Sequence, residues 1–294
     1  MLEKREFYIN GEWVSPAKPN DYHVIDPTTE EPCAVISLGD QADTDAAVAA
    51  AKAALPGWMA TPPADRIALL EKLLEVYQAR AEDLAKAMST AMGAPMDLAR
   101  TAQVGAGAYH LGNFIKAAKE FKFEQPLGDH APNDRIIREA VGVAGLITPW
   151  NWPMNQITLK VGAAVVSCTM VLKPSEESPL DAMIFAELMD EAGFPKGVFN
   201  LVNGDGVGVG SQMSSHKDID MISFTGSTRA GTLISKAAAD TLKKVHLELG
   251  GKGANIVFND ADDKAVKRGV LHMMNNTGQS CNAPSRMLVQ SDVY

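Results

Sequence analysis

From residue 140 onward the chain keeps a beat that few folds can satisfy. Short apolar runs of strand length alternate with amphipathic stretches of helix length. "VGVAGLIT" (141–148) precedes a helical stretch at 154–167, and "TMVLK" (169–173) one at 179–192. "GVFNLV" (197–202) precedes a short helix near 207–215, and "DMISFTG" (220–226) one at 228–240, after which come "KVHLELG" and "ANIVF". Strands this apolar expect cover on both faces, and a helical crossover between each pair makes them parallel. The expected fold class is α/β, a parallel sheet with helices on both faces. Such sheets bind ligands beyond the carboxyl ends of their strands.

The part before residue 140 reads differently. "REFYINGEWV" alternates around an Asn10-Gly11 turn, and the first forty residues are short extended segments. Residues 43–55 are Ala-rich and helical, and 62–93 form one long amphipathic pattern with Pro62 and Pro63 at its start and Gly93 at its stop. A further helix spans roughly 95 to 119. Residues 122–139 carry two strand-like arms around a Pro/Gly/Asp/Asn turn, either a protruding hairpin or a plain connector.

Composition narrows the function classes. A net charge of −9 and a pI of about 5.2, with no run of Lys or Arg, argue against nucleic acid as a partner. The most apolar run, 161–172, is too short to span a bilayer, and the N-terminus lacks the apolar core of a signal peptide. Three cysteines, 33, 168 and 281, are too few and too scattered for a disulfide framework or a zinc site, so no metal is expected and a reducing, cytoplasmic setting is. Cys168 lies in an apolar run, and Cys33 follows Pro32 in what reads as a loop. Cys281 differs from both. It stands among small polar residues, in "NNTGQSCNAPSR" (275–286), as an incidental surface thiol or as a nucleophile.

The strand ends say where to look. They carry "TPWNWP" (148–153), "KPSE" (173–176), "NGDGVGVG" (203–210), "FTGSTRAG" (224–231) and "ELGGK" (248–252), so polar, aromatic and Gly residues collect on one edge. "GSTRAG" is neither GxGxxG nor a Walker A loop. It does place Gly226 and Ser227 between a strand and a helix start, where backbone N–H groups favour an anion; the ordinary alternative is a Ser N-cap.

"TPWNWP", "KPSE", "FTGSTRAG", "LELGGK" and "GQSCNAPSR", in this order, resemble the aldehyde dehydrogenase superfamily, and the resemblance runs through essentially the whole chain, including "FYINGEWV" and "DPTTEEP". It implies a Rossmann-like sheet, with a dinucleotide-binding domain at 1–121 and 140–249, an oligomerisation hairpin at 122–139 and the start of a second α/β catalytic domain at 250–294. It implies that Cys281 attacks an aldehyde carbonyl, that Asn151 and the Cys281 N–H hold the oxyanion, and that Glu248 activates the water that hydrolyses the resulting thioester. The thiolate is the attacking form, and an unperturbed thiol titrates at about 8.5, so the site must lower that value or supply a base. Cys33, Cys168 and the six histidines are given no catalytic role.

The same resemblance implies NAD as cofactor, with NADP left open. Lys173 and Glu176 would meet the adenosine ribose, where a carboxylate bonds the 2′-hydroxyl and repels a 2′-phosphate. Thr148, Pro149, Trp150, Ser175, Gly206, Gly210, Phe224, Gly226, Ser227 and Gly231 would border the nucleotide, with Leu249 near the nicotinamide. Trp152, Gln156, Leu159 and Lys160 would lie on the substrate side. Gln156 and Leu159 depart from the large hydrophobic or aromatic residues common there in members handling small aliphatic aldehydes. The expected partners are a small aldehyde and, for a full-length form, further copies of the chain in a homodimer or homotetramer, with no membrane. Family members are much longer than this chain, which is therefore expected to be an N-terminal portion, inactive alone, with Val257, Phe258, Val270 and Met273 exposed. A non-catalytic nucleotide-binding fragment is the alternative.

Overall fold

The structure, a computed structural model, describes all residues 1–294. Its centre is a seven-stranded sheet in the order Lys244–Leu249, Met221–Gly226, Val143–Ile147, Thr169–Lys173, Phe199–Leu201, Phe7–Ile9, Glu12–Val14. The first five strands are mutually parallel, and the last two form an antiparallel hairpin at the edge. That hairpin turns on Asn10 and Gly11, both left-handed, as the Asn-Gly signal predicts. Along the chain, strands are added on one side of Val143–Ile147 and then on the other. The switch point of the fold therefore lies between Val143–Ile147 and Met221–Gly226.

Side chains of a strand alternate between faces, and here the two faces differ. Ile147, Ile222, Phe224 and Ile234 belong to one apolar cluster, joined by Val245, Leu247 and Leu249 and including a residue of the helix Thr228–Ala239. On the other face the register places Leu146 beside Ser223, Ser223 beside His246, and Thr225 beside Glu248. That face turns polar toward the outer edge, where Glu248 stays exposed.

The helical layer corrects one expectation. Residues 62–93 form two helices, Pro63–Ala79 and Ala81–Met92, broken at Arg80 (φ −105°, ψ 21°). The Arg80 guanidinium pairs with Asp83 at 3.0 Å, Glu187 at 3.0 Å and Glu191 at 2.7 Å, which ties the bend to the helix Leu180–Glu191. Leu84 and Met88 thereby enter the same core as Leu70, Leu73 and Tyr77. Hydrophobic periodicity reads straight through such a corner. Gly93 ends the second helix in the left-handed region, as expected. Cys33 also departs from the loop reading: it sits in the strand Glu31–Ser37, its Sγ 3.3 Å from the Val24 carbonyl oxygen. Pro32 is tolerated in that strand because the pairing is irregular where it meets Ile25.

The stretch 95–119 is a short helix, Met96–Leu98, a π turn, Ala99–Gln103, and the helix Val104–Glu120. Two glycines of the last helix behave oppositely. A Cβ on Gly107 would lie 2.1 Å from the hydroxyl oxygen of Tyr77, a fully buried ring whose O–H donates to the Val104 carbonyl; one on Gly105 meets nothing within 4 Å. Gly107→Ala is expected to destabilise the protein by about 1–3 kcal/mol through overpacking. Gly105→Ala is expected to stabilise it by about 0.5–1 kcal/mol through helix propensity. Urea midpoints check both, and equal shifts would show that the Tyr77 contact is soft.

Residues 122–139 form the hairpin rather than a plain connector, with Glu124–Pro126 antiparallel to Arg135–Ile137 and Ile137 exposed. From residue 250 the chain builds a second, parallel pair of strands, Ala254–Val257 and Arg286–Val289, connected through the helix Ala265–Met274. Phe258 and Val270 are exposed there, as expected. Val257 is not: it is 6% exposed, because its strand pairs with Arg286–Val289 and turns it inward. Met273 is half-buried for the same kind of reason, lying in the helix that crosses between those strands. No helix of the protein is long and apolar enough to cross a membrane.

Candidate functional site

The segment 276–280 is bound to the loop after Val143–Ile147 by several hydrogen bonds. The Asn276 amide donates to the Asn151 carbonyl at 2.8 Å, the Asn151 amide donates to the Gln279 carbonyl, and the Trp152 indole donates to the Ser280 hydroxyl at 2.8 Å. Buried Gln103, on the π turn, donates to both the Asn151 carbonyl (3.2 Å) and Asn276 Oδ1 (3.3 Å). These contacts bring "TPWNWP" to the cysteine loop across a wide gap in sequence. The loop itself is unusual. Asn276 (φ 52°), Thr277 (φ 56°) and Gly278 (φ 73°) are consecutive left-handed residues, a conformation that β-branched Thr277 adopts at a cost. Cys281 follows this turn and is exposed.

A cavity of about 590 Å³ opens on the polar face of the sheet, beside the helix Pro153–Ala164. Cys281, Glu248, Gln156, Leu159 and Lys160 all line it, so a nucleophile, a carboxylate and three of the four expected substrate-side residues meet in one space. Asn151 and the fourth, Trp152, reach the cysteine loop instead. One N–H of the Asn151 amide is engaged by Gln279, and no other partner holds the second. Lys160 is buried, donates to Ser223 Oγ at 3.1 Å, and has its pKa pulled down to about 8 by burial, an effect that the Glu248 carboxylate opposes. Ser223, Thr225 and His246 also line the cavity; Thr225 falls within "FTGSTRAG", whereas Ser223 and His246 lie outside every motif. Strand alternation from Glu248 signals His246, whereas its register neighbour Ser223 becomes legible only once the pairing is known. Asn276 and Ser280 join the site from the stretch around Cys281, and Gln103 joins it with no local pattern to announce it.

The expected nucleotide residues lie around the other strand ends. Buried Lys173 donates to the Pro174 carbonyl (2.8 Å), to the Gly204 carbonyl and to Glu176 Oε2 (3.3 Å). Burial pushes the Lys173 ammonium down, and Glu176 pushes it back up. Gly206, Gly210 and Phe224 line a small, largely apolar hollow of about 130 Å³ with Ile147, Leu233 and Ile234. Gly231 lets its helix close on the edge strand, since a Cβ there would lie 2.8 Å from Leu249 Cδ2. Ser227 takes the part of an ordinary N-cap: it caps Thr228–Ala239, its Oγ accepting from Ala230 N at 3.2 Å. Gly226 lies between that cap and the Phe224 ring, which a Cβ would strike at 2.4 Å. Buried Thr148 keeps an Oγ1 without a partner, and Ser175 Oγ accepts from Glu177 N. Pro149 is half-buried and Trp150 is exposed, and neither lines the two cavities. A capped helix N-terminus, a small apolar hollow and a buried ammonium paired with the half-buried Glu176 carboxylate stand together at these strand ends, the place where open α/β sheets take their ligands.

The chain belongs to the aldehyde dehydrogenase family, whose sequence profile matches residues 13–294. It is 52% identical over 295 aligned positions to a 3-succinoylsemialdehyde-pyridine dehydrogenase of Pseudomonas sp, covering 98% of this chain and 60% of that protein. The crystal structure of an aldehyde dehydrogenase from Bartonella henselae matches with a TM-score of 0.98 at 59% identity, over 100% of this chain and 62% of that one. A mutant of aldehyde dehydrogenase C from Pseudomonas syringae, crystallised with NAD+ and octanal, matches with a TM-score of 0.95 at 48% identity, over 98% of this chain and 59% of that one. The chain thus spans roughly three-fifths of the length of the relatives it matches.

Proposed function

We propose that this chain carries the first-contact chemistry of an NAD-dependent oxidation of an aldehyde to its carboxylic acid. The observation that carries the reading is the meeting of Cys281 and Glu248 in one cavity. The Cys281 sulfur attacks the carbonyl carbon and forms a C–S bond, and the free N–H of the Asn151 amide meets the developing oxyanion. NAD, when bound, supplies the hydride acceptor. Loss of hydride from the carbon leaves a thioester on Cys281. Glu248 then takes a proton from water, whose oxygen adds to the thioester carbon, and the C–S bond breaks to free the acid and the Cys281 thiolate, the proton staying on Glu248 until it passes to solvent. A thioester suits this sequence because water cleaves it readily.

Lys173, Glu176 and the hollow around Phe224 would hold the adenosine. With Glu176 bonding the 2′-hydroxyl, a 2′-phosphate meets a carboxylate. Glu176→Gln is therefore expected to raise NADP use relative to NAD by about 10-fold, read as the ratio of kcat/KM values. An unchanged ratio would remove Glu176 from the ribose site.

The division into domains at 1–121 with 140–249 and at 250–294, an oligomerising part for residues 122–139 and a reducing, cytoplasmic setting belong to the same proposal. Three free thiols support the last. The deciding experiment measures NADH formation with a panel of aldehydes, for this chain and for the longest product of its gene. Turnover by the longer product alone supports the enzyme reading and makes this chain a part of it. NAD binding without turnover in either would favour the non-catalytic alternative.

A further inference from the structure

The cavity face holds more buried polar groups than the oxidation above requires. Gln156, Lys160, Ser223 and Thr225 each line the cavity and are each 7% exposed. Buried polar groups are normally paired, and these partly pair with one another. The Thr225 hydroxyl donates to Gln156 Oε1 at 3.1 Å, and the Lys160 ammonium donates to Ser223 Oγ at 3.1 Å. With its oxygen engaged, the Gln156 amide still has two N–H donors, and no protein acceptor takes either. Asn155, its neighbour on the cavity wall, repeats the pattern: His110 Nε2 lies 2.7 Å from its Oδ1, which leaves its amide nitrogen without a partner.

Two amides whose oxygens are held by the protein present donors to one space, and a donor needs an acceptor. Around them the wall is apolar, with Phe114, Val141, Leu146 and Met221 able to cover a hydrocarbon chain. Thr225 pairs in register with Glu248, and Gln156, Glu248 and Cys281 line the same cavity, so an aldehyde carbon held at Cys281 and an acceptor held at the Gln156 amide share one space.

Resting on the proposed aldehyde oxidation, we infer that the substrate is an aldehyde with a second oxygen acceptor, a ketone or a carboxylate, a few carbons along its chain, and that Gln156 selects it. The donors discriminate because an alkanal leaves them buried and unpaired, whereas the oxygenated substrate satisfies them.

The test compares hexanal, 5-oxohexanal and 6-oxohexanoate in the longest form of the protein that turns over, with wild type, Gln156→Met and Gln156→Glu. In wild type, kcat/KM for at least one oxygenated aldehyde should exceed that for hexanal by about 10-fold or more. Gln156→Met, similar in volume but without donors, should reduce that ratio by a comparable factor, and Gln156→Glu should reduce it most for 6-oxohexanoate. A preference shared by the ketone and the carboxylate assigns the selection to the amides; a preference for the carboxylate alone adds the Lys160 charge. Equal use of hexanal, or a ratio that neither variant moves, overturns the inference while leaving aldehyde oxidation intact. If no aldehyde is oxidised, the functional reading fails, and calorimetric titration of this chain with 6-hydroxyhexanoate and 1-hexanol decides the site. Tighter binding of the hydroxy acid, lost in Gln156→Met, supports it; equal binding or none overturns it.

Discussion

Replacing Cys281 by alanine is expected to abolish NADH formation in any active form of the protein, a loss on the order of 10⁴-fold or more, because no other group can make the covalent adduct. Cys168, the second thiol on the same cavity, is no substitute. It is 7% exposed at the end of an apolar helix–strand connection, whereas Cys281 is exposed. Glu248→Gln should behave differently, although the side chain is nearly the same shape. Attack and hydride loss precede the step that needs the base, so a first turnover should still release NADH. Steady turnover should then fall by about 10²–10⁴-fold as thioester accumulates on Cys281. Rapid mixing reads the burst, and intact-mass measurement after acid quenching reads the acyl group. A variant Glu248→Gln that loses the burst together with the steady rate would mean that the carboxylate acts before the thioester forms. A Cys281→Ala variant with substantial activity would end the mechanism.

How much of this is legible in the sequence depends on the range of the interaction. The parallel sheet, the succession of its strands and the strand-end motifs follow from local alternation, since each short apolar run fixes one strand. Cys281 and Glu248 are marked by type and motif and Gln156 by the family resemblance alone, and the three share a cavity. What stays hidden is what depends on the chain meeting itself. Arg80 breaks a helix whose periodicity continues, because its carboxylate partners come both from the next helix and from one much later in the chain. Gln103 carries no motif, and its position comes from a π turn that rotates it toward Asn151. Such turns are common at functional sites but have no simple sequence signature. Ser227 illustrates the opposite limit: one residue can cap a helix and border a ligand, and the sequence motif is the same for both.

Asp181 is expected to make the folded protein progressively less stable as pH rises from about 4 to about 7. It is fully buried, and burial pushes its carboxyl up to about 7, against hydrogen bonds from its own N–H, from the Ser178 hydroxyl and from the Ala182 N–H. It stands at the start of Leu180–Glu191, where the helix dipole also favours the anion, yet Oδ2 has no partner and burial prevails. The neighbouring Tyr77 hydroxyl is pushed up by burial and by Asp181 itself. In the unfolded chain the carboxyl releases its proton near its ordinary value of 3.8, and in the folded protein only near 7. Between those values the folded state holds the extra proton, so raising the pH favours unfolding, and above about 7 the full cost remains. Each unit is worth about 1.4 kcal/mol, which makes the whole effect on the order of 4 kcal/mol. Asp181→Asn stays neutral at every pH. Its stability relative to wild type should therefore climb by that figure between pH 4 and pH 8, read from urea denaturation of both proteins at each pH. Comparing the two proteins at each pH cancels the titration of all other groups, so a constant difference between them would show that Asp181 is ionised in the folded state and that a solvent path reaches Oδ2.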